Sequence, residues 1–173
     1  VHWHLGNHDM WTRGYLADEL GVHVHTDPVD VTHGGLKYLV GHGDGLGPGD
    51  RKYKALKRLF RHPLARWSFA RLHPDTAFAL GSKLSSDSRA SGAEAEARYD
   101  GPEGEWLYHY CRDVLAVAPY DGFIFGHRHL PLDLEVVSAD GQRRARYLNC
   151  GDWLHHKTYV TLDGDGARLL HWT

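Results

Sequence analysis

The sequence predicts a layered α/β domain in which short apolar strands each deliver a polar loop at their carboxyl ends. Three observations carry this. Apolar runs of strand length alternate with stretches of helical spacing. Three of those runs end in glycine followed by Asn or His. From Leu132 onward the chain reads as strands separated by Asp-Gly turns. At 173 residues the chain is long enough for one real core and short for two domains.

The elements follow in order. Val1 to Leu5 reads as the end of a strand running into Gly6-Asn7-His8-Asp9. Trp11, Tyr15, Leu16 and Leu20 have helical spacing that stops at Gly21. Short strands are expected over Val22–His25, Val29–His33 and Leu36–Val40, the last leading into Gly41-His42-Gly43-Asp44. After a glycine- and proline-bearing loop, Asp50 is placed to cap a helical region from Arg51 to about Ser88, broken near Pro63 and Pro74. Residues 85–101 are small and polar, the expected mobile stretch. Asp100-Gly101-Pro102-Glu103 has the form of a capping box ahead of a helix with the apolar stripe Trp106, Leu107, Tyr110, Cys111, Val114 and Leu115. Phe123-Ile124-Phe125 then runs into Gly126-His127-Arg128-His129. Strands are expected over Leu132–Val137, Ala145–Leu148, Thr158–Leu162 and Ala167–Trp172.

Composition narrows the function classes. A net charge of -2 argues against a globally basic nucleic-acid binder. No apolar run approaches the roughly 18 residues that span a bilayer. Cys111 and Cys150 form no CxxC pair, so a disulfide framework is not expected and a reducing compartment is. Fifteen histidines exceed what packing requires, and imidazole is the commonest metal ligand.

The chemistry is expected where strand, glycine and ligand-capable side chain recur: at Asn7, at His42, and at His127 with His129. Glycine permits a sharp turn and close approach of a metal or phosphate. Imidazole and amide oxygen hold a divalent ion without overloading the site with negative charge. One Gly-His pair is weak evidence, since a lone histidine after a strand is more often structural. Three such loops in this order outweigh that reading.

GNHD, GHGD and GHRH together resemble the second half of the signature of calcineurin-like metallophosphoesterases. The resemblance implies a β-sandwich flanked by helices, with the amino-terminal part missing and a helical lid inserted. It also implies two divalent metal ions, with manganese the usual choice. Asn7, His42 and His127 would serve one ion and His129 the other. His8 would contact phosphate and protonate the leaving oxygen, with Asp9 holding its ring. GNHDMW, GHGDGLGPGDRKYK, FARLHP, EWLYHYC, FIFGHRHLPLDL and YLNCGDWL are most similar to the UDP-2,3-diacylglucosamine diphosphatase group. That group hydrolyses the substrate's pyrophosphate to UMP and lipid X in lipid A synthesis. The resemblance extends over nearly the whole chain.

A single domain over residues 1–173 is therefore expected, with residues 51–110 as a helical insertion. Between Arg51 and His73 stand eight Lys or Arg and no Asp or Glu, facing a substrate with two phosphates; Trp67, Phe69, Leu72 and Phe78 would line an acyl channel. The alternative for each is a solvated basic face over an ordinary helical core. Asp50 and Tyr53 match substrate-contacting positions of the family, with Lys83 and Arg89 as further candidates. The expected partners are a nucleotide-sugar lipid and the inner-membrane surface, from the cytoplasmic side, with no nucleic acid; oligomeric state stays open. The family's Asp-x-His and Gly-Asp do not occur in the six residues before Asn7. Either a preceding segment of about 60–80 residues supplies them, or the ligand set is genuinely incomplete. Other calcineurin-like activity on nucleotides or phosphoproteins, and a non-catalytic metal-binding module, remain as alternatives.

Overall fold

A computed structural model describes residues 1–10, 12, 14–48, 51–83, 86 and 98–173, with backbone alone at 51 and 52. Asp50, Arg89 and Trp11 lie outside the described residues. The elements are β1 (His2–His4), α1 (Tyr15–Asp18), β2 (His23–His25), β3 (Val29–His33), β4 (Leu36–Gly41), α2 (Arg51–Arg61), α3 (Pro63–Phe69), α4 (residues 74–83) and α5 (Trp106–Val117). They continue with β5 (Gly122–Phe125), β6 (Pro131–Val137), β7 (Arg144–Cys150), β8 (Thr158–Asp163) and β9 (Gly166–His171).

The frame is a five-stranded sheet in the order β3-β4-β5-β7-β6. Its three central strands are parallel, and antiparallel β3 and β6 form the edges. A central parallel strand is covered on both faces, which is why Gly122-Phe123-Ile124-Phe125 is apolar without alternation and buried throughout. On one face α5 contributes Leu107, Cys111 and Leu115, packed with Phe123, Phe125, Val136 and Tyr147. On the other, the β8–β9 hairpin covers Tyr38, Ile124 and Leu148 with Ala167, Val160, Leu162 and Leu169. Each of the large fully buried side chains contributes roughly 1.5–3 kcal/mol through burial. The mixed α/β order and the β-rich carboxyl half are thus as the sequence predicts.

Two local expectations change. The helix expected over 11–20 is a single turn, Tyr15–Asp18, entered through Gly14 in the left-handed region (φ 86°) and burying no side chain. The expected capping box is also displaced. Pro102–Gly104 forms a 3-10 turn, and the side chain that accepts from the first turn of α5 is Glu105, from Leu107 N. Proline at the start of the turn sets the chain direction, and the cap moves to the residue whose carboxylate is buried. Both cysteines are free thiols.

Parallel strands β1 and β2 form a separate two-stranded sheet. Leu5 N donates to His25 O at 2.9 Å, which continues the pairing to the edge of the first glycine loop.

Candidate active site

The carboxyl ends of β1, β4 and β5 bring the three glycine loops together, the edge at which open α/β sheets place ligands. Gly126 N donates to His42 O at 3.0 Å, so the second and third loops are tied through their backbones. The His42 and His127 rings lie 5.2 Å apart, centroid to centroid. The first loop meets them at Gly6. A Cβ there would stand 2.4 Å from His42 Nε2, so only glycine lets the ring lie against the backbone that leads into Asn7.

His42 is held by a carboxylate. Its Nδ1 is 3.0 Å from Asp44 Oδ1, which commits that nitrogen and turns Nε2 toward the Gly6 loop. Asp44 is itself buried and receives Tyr53 Oη at 2.8 Å and Lys57 Nζ at 2.6 Å on Oδ2. Burial pushes its carboxyl up, but the hydrogen bonds from His42, Lys57 and Tyr53 outweigh this and hold it well below the usual carboxylate range. His127 is brought down to about 4 by burial, with the neighbouring His42 adding to the effect. A ring kept neutral in this way is ready to donate a lone pair to a metal.

Asp9 fixes the first loop. Its Oδ1 accepts from Gly6 N at 2.5 Å and its Oδ2 from Trp3 Nε1 at 2.6 Å. His8 is exposed, and Asn7 is half-buried. In the third loop His127 is half-buried whereas His129 is exposed. Buried Asn149 braces this loop from β7, with Nδ2 donating to Gly126 O at 2.5 Å and Oδ1 accepting from Gly151 N.

Helix α2 closes over the second loop by one basic face. Lys54 Nζ donates to Gly47 O, Lys57 Nζ to Asp44 O at 2.7 Å, and Arg61 Nη2 to Thr26 O at 2.9 Å. Three of the eight cations expected to meet substrate therefore pin the helix. Tyr53 stands in this site and donates to Asp44, while Lys83 is exposed on α4, beyond the pinned helix.

Asp44, Lys57 and Asn149 were not among the site residues expected from the sequence. A carboxylate two residues after a candidate ligand is a readable signal for Asp44. Lys57 and Asn149 carried none, because their contacts span loops far apart in sequence. Also missed was a ladder of histidines: His2 faces His23 and His4 faces His25 across β1 and β2. His2 stacks on both His23 and His25 at 4.9 and 5.1 Å. The His-x-His alternation in both strands was the visible sign.

As a metal centre the donors fit in kind. His42 Nε2 faces the Gly6 backbone, the His127 ring is neutral and lies beside His42, and Asn7 follows Gly6 in the chain. Among the described residues no group of three or more His, Cys, Asp or Glu is placed to hold an ion.

No protein-family model matches the chain. A protein named UDP-2,3-diacylglucosamine hydrolase from Porphyromonas gingivalis is 35% identical over 95% of this chain and 65% of its own length. Proteins of the same name from Pseudomonas putida and Xanthomonas campestris are 29% and 28% identical, again over 95% of the chain. The chain spans about two-thirds of the length of these relatives. The similarity to these proteins extends over nearly the whole chain. The chain is a homologue of the bacterial proteins named UDP-2,3-diacylglucosamine hydrolase.

Proposed function

We propose that this chain carries the greater part of a metal-dependent pyrophosphohydrolase that cleaves UDP-2,3-diacylglucosamine to UMP and 2,3-diacylglucosamine 1-phosphate. The observation that carries it is the convergence of the glycine loops, with His42 Nε2 turned to the Gly6–Asn7 backbone and His127 beside it. Similarity to hydrolases of that name over 95% of the chain supports the substrate.

In this reading Asn7, His42 and His127 hold one divalent ion and His129 contributes to a second, with Mn2+ the expected metal. Such an ion supplies Lewis-acid polarisation and charge neutralisation at the attacked phosphorus. The residues of the chain do the rest. Asp44 holds the His42 ring in its donating orientation. Asp9 fixes the turn on which Asn7 and His8 stand. His8, exposed on the first loop, donates a proton to the leaving oxygen.

The region 51–110 is a lid in the same reading, with α3 and α4 its described part beyond the pinned α2. Leu56, Leu59, Leu64, Trp67 and Phe78 are exposed there beside Arg58 and Arg66. That combination suits acyl chains under a diphosphate. Asp50, Tyr53, Lys83 and Arg89 are the proposed substrate contacts. No described helix is long and apolar enough to cross a membrane, and the proposed association with the inner membrane is peripheral.

The test is UMP release from UDP-2,3-diacylglucosamine by the full-length protein with Mn2+, beside a generic phosphodiester and an EDTA control. We expect release from the lipid nucleotide, lost with EDTA and reduced about 100-fold or more by His42→Gln or His127→Gln. Turnover of the generic diester alone would favour another calcineurin-like activity. No hydrolysis of either would favour a binding module.

A further inference from the structure

Between the two histidines of the third loop stands a residue that points the other way. His127 and His129 both have left-handed backbone, at φ 70° and 55°. Arg128 N donates to Gly126 O at 2.8 Å, closing a three-residue turn around His127. Two left-handed residues without glycine, one within so tight a turn, persist only where the surroundings over-determine them.

Arg128 is what turns inward. Its side chain is 3% exposed, and Nε donates to Glu105 Oε2 at 2.8 Å. Its Nη2 donates to Arg98 O at 3.0 Å, and its guanidinium lies 4.5 Å from the Trp106 ring centre. Glu105 is 1% exposed, and its other oxygen accepts from Leu107 N at the start of α5. The edge of Trp106 meets the His127 ring at 6.3 Å. One buried ion pair thus joins the core helix to the loop that presents both rings.

We propose that Arg128 and Glu105 are positioning residues that hold His127 and His129 in the geometry of metal ligands; this rests on the metallophosphoesterase reading above. A buried ion pair is a weak stabiliser, because desolvation offsets most of its attraction and an apolar replacement serves a core as well. Its directional geometry, with Nε on Glu105 and Nη2 on Arg98 O, is what an apolar replacement lacks. The pair therefore serves the aim of the two rings more than the stability of the fold.

The full-length protein provides the test through three measurements: thermal unfolding, Mn2+ affinity from the free-ion electron paramagnetic resonance signal, and kcat with KM. Arg128→Lys keeps the charge but not the fork. The pair Glu105→Gln with Arg128→Met removes both charges and keeps an acceptor for Leu107 N. We expect the double variant to unfold within a few degrees of the wild type, yet to bind Mn2+ about tenfold or more weakly. It should lose kcat with KM unchanged, and Arg128→Lys should behave alike. Mn2+ affinity in the folded double variant within about twofold of wild type would overturn the proposal. So would recovery of stability and affinity together in that variant, or failure of both variants to fold, since each marks a purely structural pair. A wild type that binds no Mn2+ would instead sink the metal reading itself.

Discussion

At the scale of single residues the site depends on how closely groups approach. Gly6 is the clearest case, because its missing Cβ makes room for His42 Nε2. Gly6→Ala should leave the fold intact and displace the His42 ring, weakening Mn2+ binding about tenfold or more; titration of the purified variant against the wild type measures it. The same scale governs pH. His127 is half-buried with its folded-state value lowered to about 4, so the unfolded chain binds a proton more readily than the fold does. Its contribution to metal-free stability is full above the ordinary histidine value near 6.5 and declines as pH falls from there toward 4. Denaturant midpoints of metal-free protein should fall across that window, and His127→Gln should flatten the change. Asp44 works in the opposite sense to a raised group: its depressed carboxyl stabilises at neutral pH and loses that effect only in strong acid.

At the scale of elements, α2 is attached by charge more than by apolar burial. Lys54, Lys57 and Arg61 lie on one face at helical spacing and reach loop oxygens, while Leu56 and Leu59 on the other side are exposed. Lys57 is the central pin because it meets both the carboxylate and the carbonyl of Asp44. Lys57→Met should cost roughly 3–5 kcal/mol if α2 stays docked, since it leaves a buried carboxylate without its cation. If α2 instead releases, hydrogen exchange over 53–61 will rise sharply with little change in the sheet. Either result contrasts with α5, which is held by Leu107, Cys111 and Leu115 in the main core.

At the scale of the molecule, the two faces of the central sheet are closed by different means, and the site sits at the strand ends between them. The helical region beyond α2 stays open, with Trp67, Leu64 and Phe78 exposed. Trp67 stacks under Arg71, whose guanidinium lies 3.6 Å from the ring centre. If this region receives acyl chains, replacing Leu64, Trp67 and Phe78 together by Ser should lower kcat/KM for the diacyl substrate about tenfold or more, at 1–3 kcal/mol per lost apolar contact. A short-chain water-soluble analogue should be turned over unchanged. Equal loss on both substrates would make these residues structural.

Much of this was determined by the sequence alone. Period and punctuation place β4, β5 and the carboxyl-terminal strands, because a strand buried on both faces must be apolar throughout and its turns need Asp-Gly. The three Gly-led loops mark Asn7, His42, His127 and His129 as the candidate ligands, since a glycine in the turn permits close approach. What the tertiary structure decided was how those side chains are aimed. Lys57, Asn149 and the Arg128–Glu105 pair act across separations of 13 to 23 residues, and Asp44 acts on His42 two residues before it. Their roles come from burial and from the direction of individual donors. Neither is written in local periodicity; both appear only when β4, β5, β7, α2 and α5 are packed around one sheet edge.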